Sequence, residues 1–209
     1  MNEALFTYLL RLGDDNMVLA QRLGELISRM PELEEDIAVA NVSLDHLGQA
    51  RAIYTYAGEI QGDGRDEDAL AMRRNERDFR NAVLVEQPNG DFGQTMARQF
   101  FVDAYQAPLY RLLSASADER VAGIAAKAEK EARYHLRHSS GWVVRLGDGT
   151  DESHRRMQAG IDAMWPFAAD LFAADSVEAE LLTAGVAADP DVVHAEWSTS
   201  VDDVMGRAT

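Results

Sequence analysis

The chain has no cysteine among its 209 residues, which excludes disulfides, thiolate zinc sites, iron–sulfur clusters and cysteine nucleophiles together. Lysine is nearly absent as well. Lys127 and Lys130 stand alone beside the arginines, and arginine is the base suited to bidentate contacts at interfaces. Positive charge is scarce: 20 Lys and Arg oppose 36 Asp and Glu, for a formal net charge of -16. Such a chain repels phosphate backbones and anionic bilayers, so neither nucleic acid nor membrane is an expected partner. Long apolar runs are missing too, since a stretch such as Ile37 to Val42, broken by Asn41, is far below the roughly 18 residues of a membrane span. The N-terminal Met-Asn-Glu-Ala-Leu-Phe has no basic stretch and no small-residue cleavage site behind an apolar run, which points to the cytoplasm.

What is present is an ordinary globular composition, 46% hydrophobic and 27% charged. The length suits one core, so a single domain over residues 1–209 is expected. Its end, residues 170–209, carries nine acidic residues against one base, Arg207, and reads as a solvated acidic helical segment.

Apolar spacing is helical nearly throughout, with no sustained two-residue alternation between turn signals, so the fold class is all-α. A first helix covers 2–12 and 14–29, broken at Gly13 with Asp14 or Asp15 as the second cap. A long second helix opens at Pro31 and runs to about Glu59. One apolar stripe on it holds Ile37, Ala40, Leu44, Leu47 and Tyr54, and another holds Val39, Val42, Ile53 and Tyr56. Two stripes need cover on two sides, from the bundle itself or from another subunit. After a loop at 62–66, one or two short helices reach Leu84, and Gln87-Pro88-Asn89-Gly90 makes a turn. A third long helix spans about Phe92 to Ser114 around Pro108, with a stripe at Phe92, Met96, Gln99, Asp103, Gln106, Tyr110 and Leu113. The fourth runs from near Asp118 to Gly147, with Val121, Ala125, Ala128, Ala132, His135, Ser139, Trp142 and Leu146 in line. A fifth covers about Asp151 to Phe172, and shorter helices follow around 177–182 and 192–204. Four long helices in two consecutive pairs, joined by a longer connection, describe the ferritin-like four-helix bundle with extra short helices.

Polar residues interrupt these stripes at four places. His46 and Gln49 share a face of the second helix, Asp103 lies in line on the third and His135 on the fourth, while Asp15 and Asn16 follow Gly13 on the first. Buried carboxylates and imidazoles need partners, which makes an Asp103–His135 contact reasonable. A ferritin-like di-iron site draws a carboxylate from each of two helices and a Glu-x-x-His pair from each of the others. No Glu-x-x-His occurs here: the second helix reads His46-Leu47-Gly48-Gln49 and the fourth Ala132-Arg133-Tyr134-His135. Glu131 stands one position early, about 100° round the helix from a ligand position, and Asp45 adjoins His46. A hydrogen-bonded polar cluster in a bundle core is therefore the plain reading, with no metal on this chain. Ser139-Ser140 beside His138 reads as an exposed helix face, His154 and His194 as surface residues, and Trp142, Trp165 and Trp197 as core or interface anchors.

The chain resembles the C-subunit family of the bacterial multicomponent phenylacetyl-CoA epoxidase, also described as a ring-hydroxylating phenylacetate-CoA oxygenase, over nearly its whole length. The resemblance is carried by Leu10-Arg11-Leu12-Gly13-Asp14, Gln21-Arg22-Leu23-Gly24-Glu25, Leu44-Asp45-His46-Leu47-Gly48-Gln49-Ala50-Arg51, Val85-Glu86-Gln87-Pro88-Asn89-Gly90, Ala97-Arg98-Gln99-Phe100 and Lys130-Glu131-Ala132-Arg133-Tyr134-His135-Leu136-Arg137. Trp142, Leu146-Gly147 and Gly149-Thr150-Asp151 also fit. The resemblance implies a further tail beyond the position of Thr209. The resemblance implies aerobic phenylacetate catabolism, in which one oxygen atom of O₂ enters the aromatic ring of phenylacetyl-CoA to give an epoxide. It further implies that the di-iron site and the catalysis belong to a related A subunit, that the C-type chain is its structural partner, and that a B subunit and a flavin and iron–sulfur reductase complete the system.

Laying the A subunit's ligand pattern on this chain puts its first-helix glutamate at Asn16, one Glu-x-x-His at His46 and Gln49, the third-helix acid at Asp103 and the other Glu-x-x-His at Ala132 and His135. On this overlay only Asp103 and His135 keep usable ligands. The expected role is a non-catalytic scaffold with no cofactor of its own, binding the A subunit through the stripe of Val39, Val42, Ile53 and Tyr56 and the arginines beside it. A homodimer is a possible state of the isolated chain. Two alternatives stand beside this role: an enzyme with a metal site of its own at Asp103, His135, His46 and Glu131, and a homo-oligomer binding an aromatic acyl-CoA.

Overall fold

The computed structural model describes residues 2–208. Met1 of the N-terminal hexapeptide and Thr209, where the resemblance implies a further tail, lie outside the described residues. Among the described residues the chain is helical with no strand. Four long helices build the bundle: α1 (Asn2–Gly24), α2 (Leu33–Gln61), α5 (Phe92–Leu113) and α6 (Glu119–Gly147). Between the pairs lie α3 (Glu67–Met72), a 3₁₀ turn at Glu76–Asp78 and α4 (Val83–Glu86). After them come α7 (Asp151–Ala168), a 3₁₀ turn at Ala169–Phe172, α8 (Ser176–Thr183) and α9 (Pro190–Arg207).

The long helices start and stop where local chemistry dictates. Asp91 accepts from Gln94 N ahead of α5, Asp118 accepts from Arg120 N and Val121 N ahead of α6, and Gly62, with φ 70°, closes α2 in a left-handed turn. Polar pairs show how α2 lies against α6. Glu35 meets His138, Asp45 meets His135, Gln49 meets Glu131 and Tyr56 meets Asp118, so one helix descends as the other climbs. With α1 antiparallel to α2 through Ala20–Ser43 and Asp14–Tyr54 contacts, the order is up, down, crossover, down, up. The fold is ferritin-like.

The central helix is α5, buried almost all round, whereas α6 buries one face holding Val121, Ala125, Ala128, Ala132, His135 and Ser139. Arg98 of α5 is fully buried and donates to Gln87 O at 2.5 Å and Asn89 Oδ1 at 2.6 Å, pinning the turn at 87–90 to the bundle. In the acidic end, α8 packs on α1 and α9 packs on α5 and α6. Trp197 of α9 donates to Phe101 O at 2.9 Å and, like the half-exposed Trp165, its ring packs on Phe101.

Three local expectations change. The first helix does not break at Gly13 but runs unbroken to Gly24. Gly13 is needed for close packing instead: a Cβ there would stand 2.5 Å from Tyr54 Cε1. Asp14 and Asp15 are therefore mid-helix residues and cap nothing. The stripes of α2 also differ in fate. Val39, Val42 and Ile53 are buried within the bundle, so they are not available to a partner, while Ile37, Leu44 and Leu47 are 54%, 63% and 44% exposed. Tyr54, only about 20° round the helix from Leu47, is buried because α1 covers that end of the line, with the ring against Gly13 and the hydroxyl on Asp14. Finally, the stretch from His138 to Ser140 is not an open face: Ser139 is buried and His138 is half-buried against Glu35 at 2.9 Å.

Candidate functional site

Three of the four long helices bring a potential ligand to one point in the bundle centre. His46 of α2, Asp103 of α5 and His135 of α6 are all buried, and one donor atom from each lies within 4.8 Å of the others. The imidazole rings of His46 and His135 sit 5.1 Å apart between centroids, tilted by 47°. The fourth helix, α1, contributes Asn16, whose Oδ1 is 2.8 Å from His46 Nδ1 and whose Nδ2 donates to Leu12 O and Tyr110 OH.

Each member is oriented by a neighbour. His135 Nε2 is 3.0 Å from Asp45 Oδ2, and Gln99 Nε2 donates to Asp103 Oδ1 at 2.6 Å. Asp103 and His135 are thus brought together as expected but share no hydrogen bond, because Asp45 and Gln99 take their places as partners. Burial pushes the Asp103 carboxyl up to about 6, against the opposing pull of His135, Ser139 and Gln99. Burial also holds His46 well below the usual imidazole range, with His135 adding to the effect, so His46 is neutral.

The remaining expected positions fall around this point without supplying ligands. Gln49 is buried and donates to Glu131 Oε2 at 2.9 Å; Glu131 itself is only partly covered and also faces Lys127. Ala132 is buried and offers no donor. The overlay kept only Asp103 and His135 as usable ligands, and the geometry adds His46, which stands where a glutamate was expected but reaches the same centre. Two residues of the α5 stripe, Gln99 and Gln106, prove to be part of the cluster, as does Tyr110 through Asn16. Their place in the stripe was the available signal.

A pair of iron ions does not fit this donor set. Such a pair requires bridging carboxylates, and the centre holds a single one, Asp103, beside two imidazoles and the amides of Asn16, Gln49, Gln99 and Gln106.

A second polar cluster lies farther along the α1–α2 interface. The fully buried Asp14 accepts from Tyr54 OH at 2.5 Å, from both terminal nitrogens of Arg74 and from Arg80 N at 2.7 Å. It ties the crossover to the bundle and presents no free donor. On the outside, α2 and α6 flank a groove of about 320 Å³ lined by Gly48, Ala52, Gly123, Ile124 and Lys127 among others.

The comparisons with known proteins agree with this architecture. The C subunit of 1,2-phenylacetyl-CoA epoxidase from Escherichia coli (strain K12) is 52% identical over 209 residues, all of this chain and 84% of that protein. The family model described as phenylacetic acid catabolic protein matches residues 1–209. A ferritin-like bundle whose centre lacks the carboxylates of a di-iron pair, matched end to end by that model, belongs to the phenylacetic acid catabolic protein family.

Proposed function

We propose that this chain is the structural C subunit of a cytoplasmic phenylacetyl-CoA epoxidase, a non-catalytic partner that stabilises the di-iron A subunit. One observation carries the reading: a single carboxylate, Asp103, stands at a centre where a di-iron oxygenase draws one from every helix of the bundle. Asn16, Gln49 and Ala132 occupy positions at which ligands have been lost, while the fold that would carry them is intact. A bundle kept without its catalytic metals is kept for what it binds. The exposed line of Leu33, Ile37, Leu44 and Leu47 on α2, with Tyr134 and the arginines 51, 133 and 137, is the face suited to the A subunit. A B subunit and a reductase complete the assembly through that complex.

The test is co-expression of the A subunit with and without this chain, followed by thermal melting, epoxidation rate and iron content of the purified products. The expected result is that the A subunit is recovered with this chain, melts higher in its company and holds all the paired iron. An A subunit equally stable and active alone overturns the scaffold role, and about two irons on this chain alone overturn the ligand accounting.

A further inference from the structure

Nε2 of His46, Oδ2 of Asp103 and Nδ1 of His135 are buried and have no hydrogen-bond partner among the described residues, and the same three side chains each bring one ligand atom within 4.8 Å of the others. All three are acceptors, and their other ends show why. Asn16 uses Nδ2 to donate to Leu12 O at 2.8 Å, so its Oδ1 faces His46 Nδ1 and the imidazole proton sits on Nδ1. Asp45 Oδ2 likewise holds the proton of His135 on Nε2, and Gln99 Nε2 occupies Asp103 Oδ1. What remains unpaired on these three side chains is two imidazole lone pairs and one carboxylate oxygen, each held in direction by the bond at the other end of its group. Left without a positive partner, such a group is costly in a protein interior.

The same arrangement is what a metal site requires: histidines whose second nitrogen is hydrogen-bonded to an amide oxygen or a carboxylate, and a carboxylate held through its other oxygen. We propose that His46, Asp103 and His135 bind one divalent late first-row transition-metal ion, zinc being the reference case, which locks α2, α5 and α6 together. Two neutral imidazoles and one carboxylate form a donor set for zinc, cobalt, nickel or ferrous ions rather than for calcium or magnesium. The lack of further carboxylates limits the site to one ion. The site is structural: its ligands are buried, and the groove between α2 and α6 is lined by Gln49 rather than by any of the three. On this proposal the chain carries one non-catalytic ion. The inference is independent of the scaffold role, which an unmetallated chain leaves untouched.

The experiment uses the full chain, purified from cells grown with added zinc or, separately, cobalt. Elemental analysis after gel filtration is expected to give about one ion per chain in the wild type, and a loss of at least about tenfold in His46→Gln and Asp103→Asn. The double variant His154→Gln/His194→Gln, which alters exposed histidines, is expected to retain the full complement. Asp45→Asn, which leaves all three ligands in place, is expected to weaken retention during dialysis against a chelator by about 10–100-fold. Where a core variant does not fold, X-ray absorption at the zinc edge of the wild type decides, with two imidazoles and an oxygen in the coordination shell expected. Wild-type protein without stoichiometric metal, metal lost in the surface double variant, or an absorption spectrum without imidazole scattering overturns the proposal.

Discussion

Tyr54 of α2 lays its ring against the backbone of Gly13 while its hydroxyl donates to Asp14 Oδ1 at 2.5 Å, so one side chain both demands a glycine and satisfies the buried acid that follows it. The ring cannot swing away without giving up that hydrogen bond and its contact with Arg74. Gly13→Ala is therefore expected to destabilise the chain by about 1–3 kcal/mol in urea unfolding. Helix propensity alone gives the opposite sign, about 1 kcal/mol of gain. A more stable alanine variant rules out the packing role.

Asp14 is the carboxylate paired with Arg74, whose side chain is also almost fully buried. Removing the acid leaves the guanidinium without its counter-charge, and removing the Tyr54 hydroxyl leaves the ion pair in place. Asp14→Ala is expected to cost about 3–5 kcal/mol and Tyr54→Phe about 1–2 kcal/mol, both read from chemical denaturation at pH 7. Equal losses, or a larger one for phenylalanine, show that the ion pair does not hold the crossover.

The bundle was legible because its core faces repeat at helical spacing. The α5 stripe from Met96 to Leu113 and the α6 stripe from Val121 to Ser139 are buried as read, while Phe92, Trp142 and Leu146 at the ends of those stripes are only half-buried. So was the polar content of the centre, since His46, Asp103 and His135 interrupt apolar lines. Tertiary choices were not legible. Gly13 looks like a helix break in one dimension and is a packing site in three, because the ring that needs it arrives from 41 positions away. The two apolar stripes of α2 are equivalent in pattern, and only the placement of α1, α5 and α6 decides which is covered. Asp45 was a neighbour of a site residue by sequence and becomes the orienting partner of His135 by helix pairing, a relation that spans 90 positions.

Asp15 offers a pH-dependent test away from the bundle centre. It accepts from Ala82 N at 2.7 Å and lines a cavity of about 240 Å³ with Arg11, Arg80, Asp170, Asp175 and Glu178. Burial pushes its carboxyl up to about 7, opposed by the Ala82 hydrogen bond and reinforced by Asp14 and Asp170. A carboxyl raised in the folded state favours folding while it is protonated, and that contribution is lost as pH rises from about 4 to about 7. Asn copies the neutral acid and keeps an acceptor for Ala82. Asp15→Asn is thus expected to be the more stable form at pH 8, by about 1 kcal/mol after allowance for screening by solvent in the cavity, with the difference shrinking towards pH 5. Melting curves of both proteins across pH 5–8 check this, and a difference that does not vary with pH refutes it.

The exposed line on α2 separates binding from folding. Leu44 and Leu47 are 63% and 44% exposed, so replacing them removes little area that folding buries, and Ser at both positions leaves α2 with polar residues of modest helix propensity. If this face receives the A subunit, the same two side chains become buried there, at about 25 cal/mol for each Å² of apolar surface covered. Leu44→Ser/Leu47→Ser is therefore expected to lower the chain's own stability by less than about 1 kcal/mol while weakening association with the A subunit by about tenfold or more. Val39→Ser, on the covered stripe, is expected to do the reverse: unfold the chain and reduce association only through that loss. Association is measured by titration calorimetry with the purified A subunit and stability by urea unfolding of each variant alone. A double variant that binds the A subunit like the wild type removes this face from the interface, whatever its effect on folding.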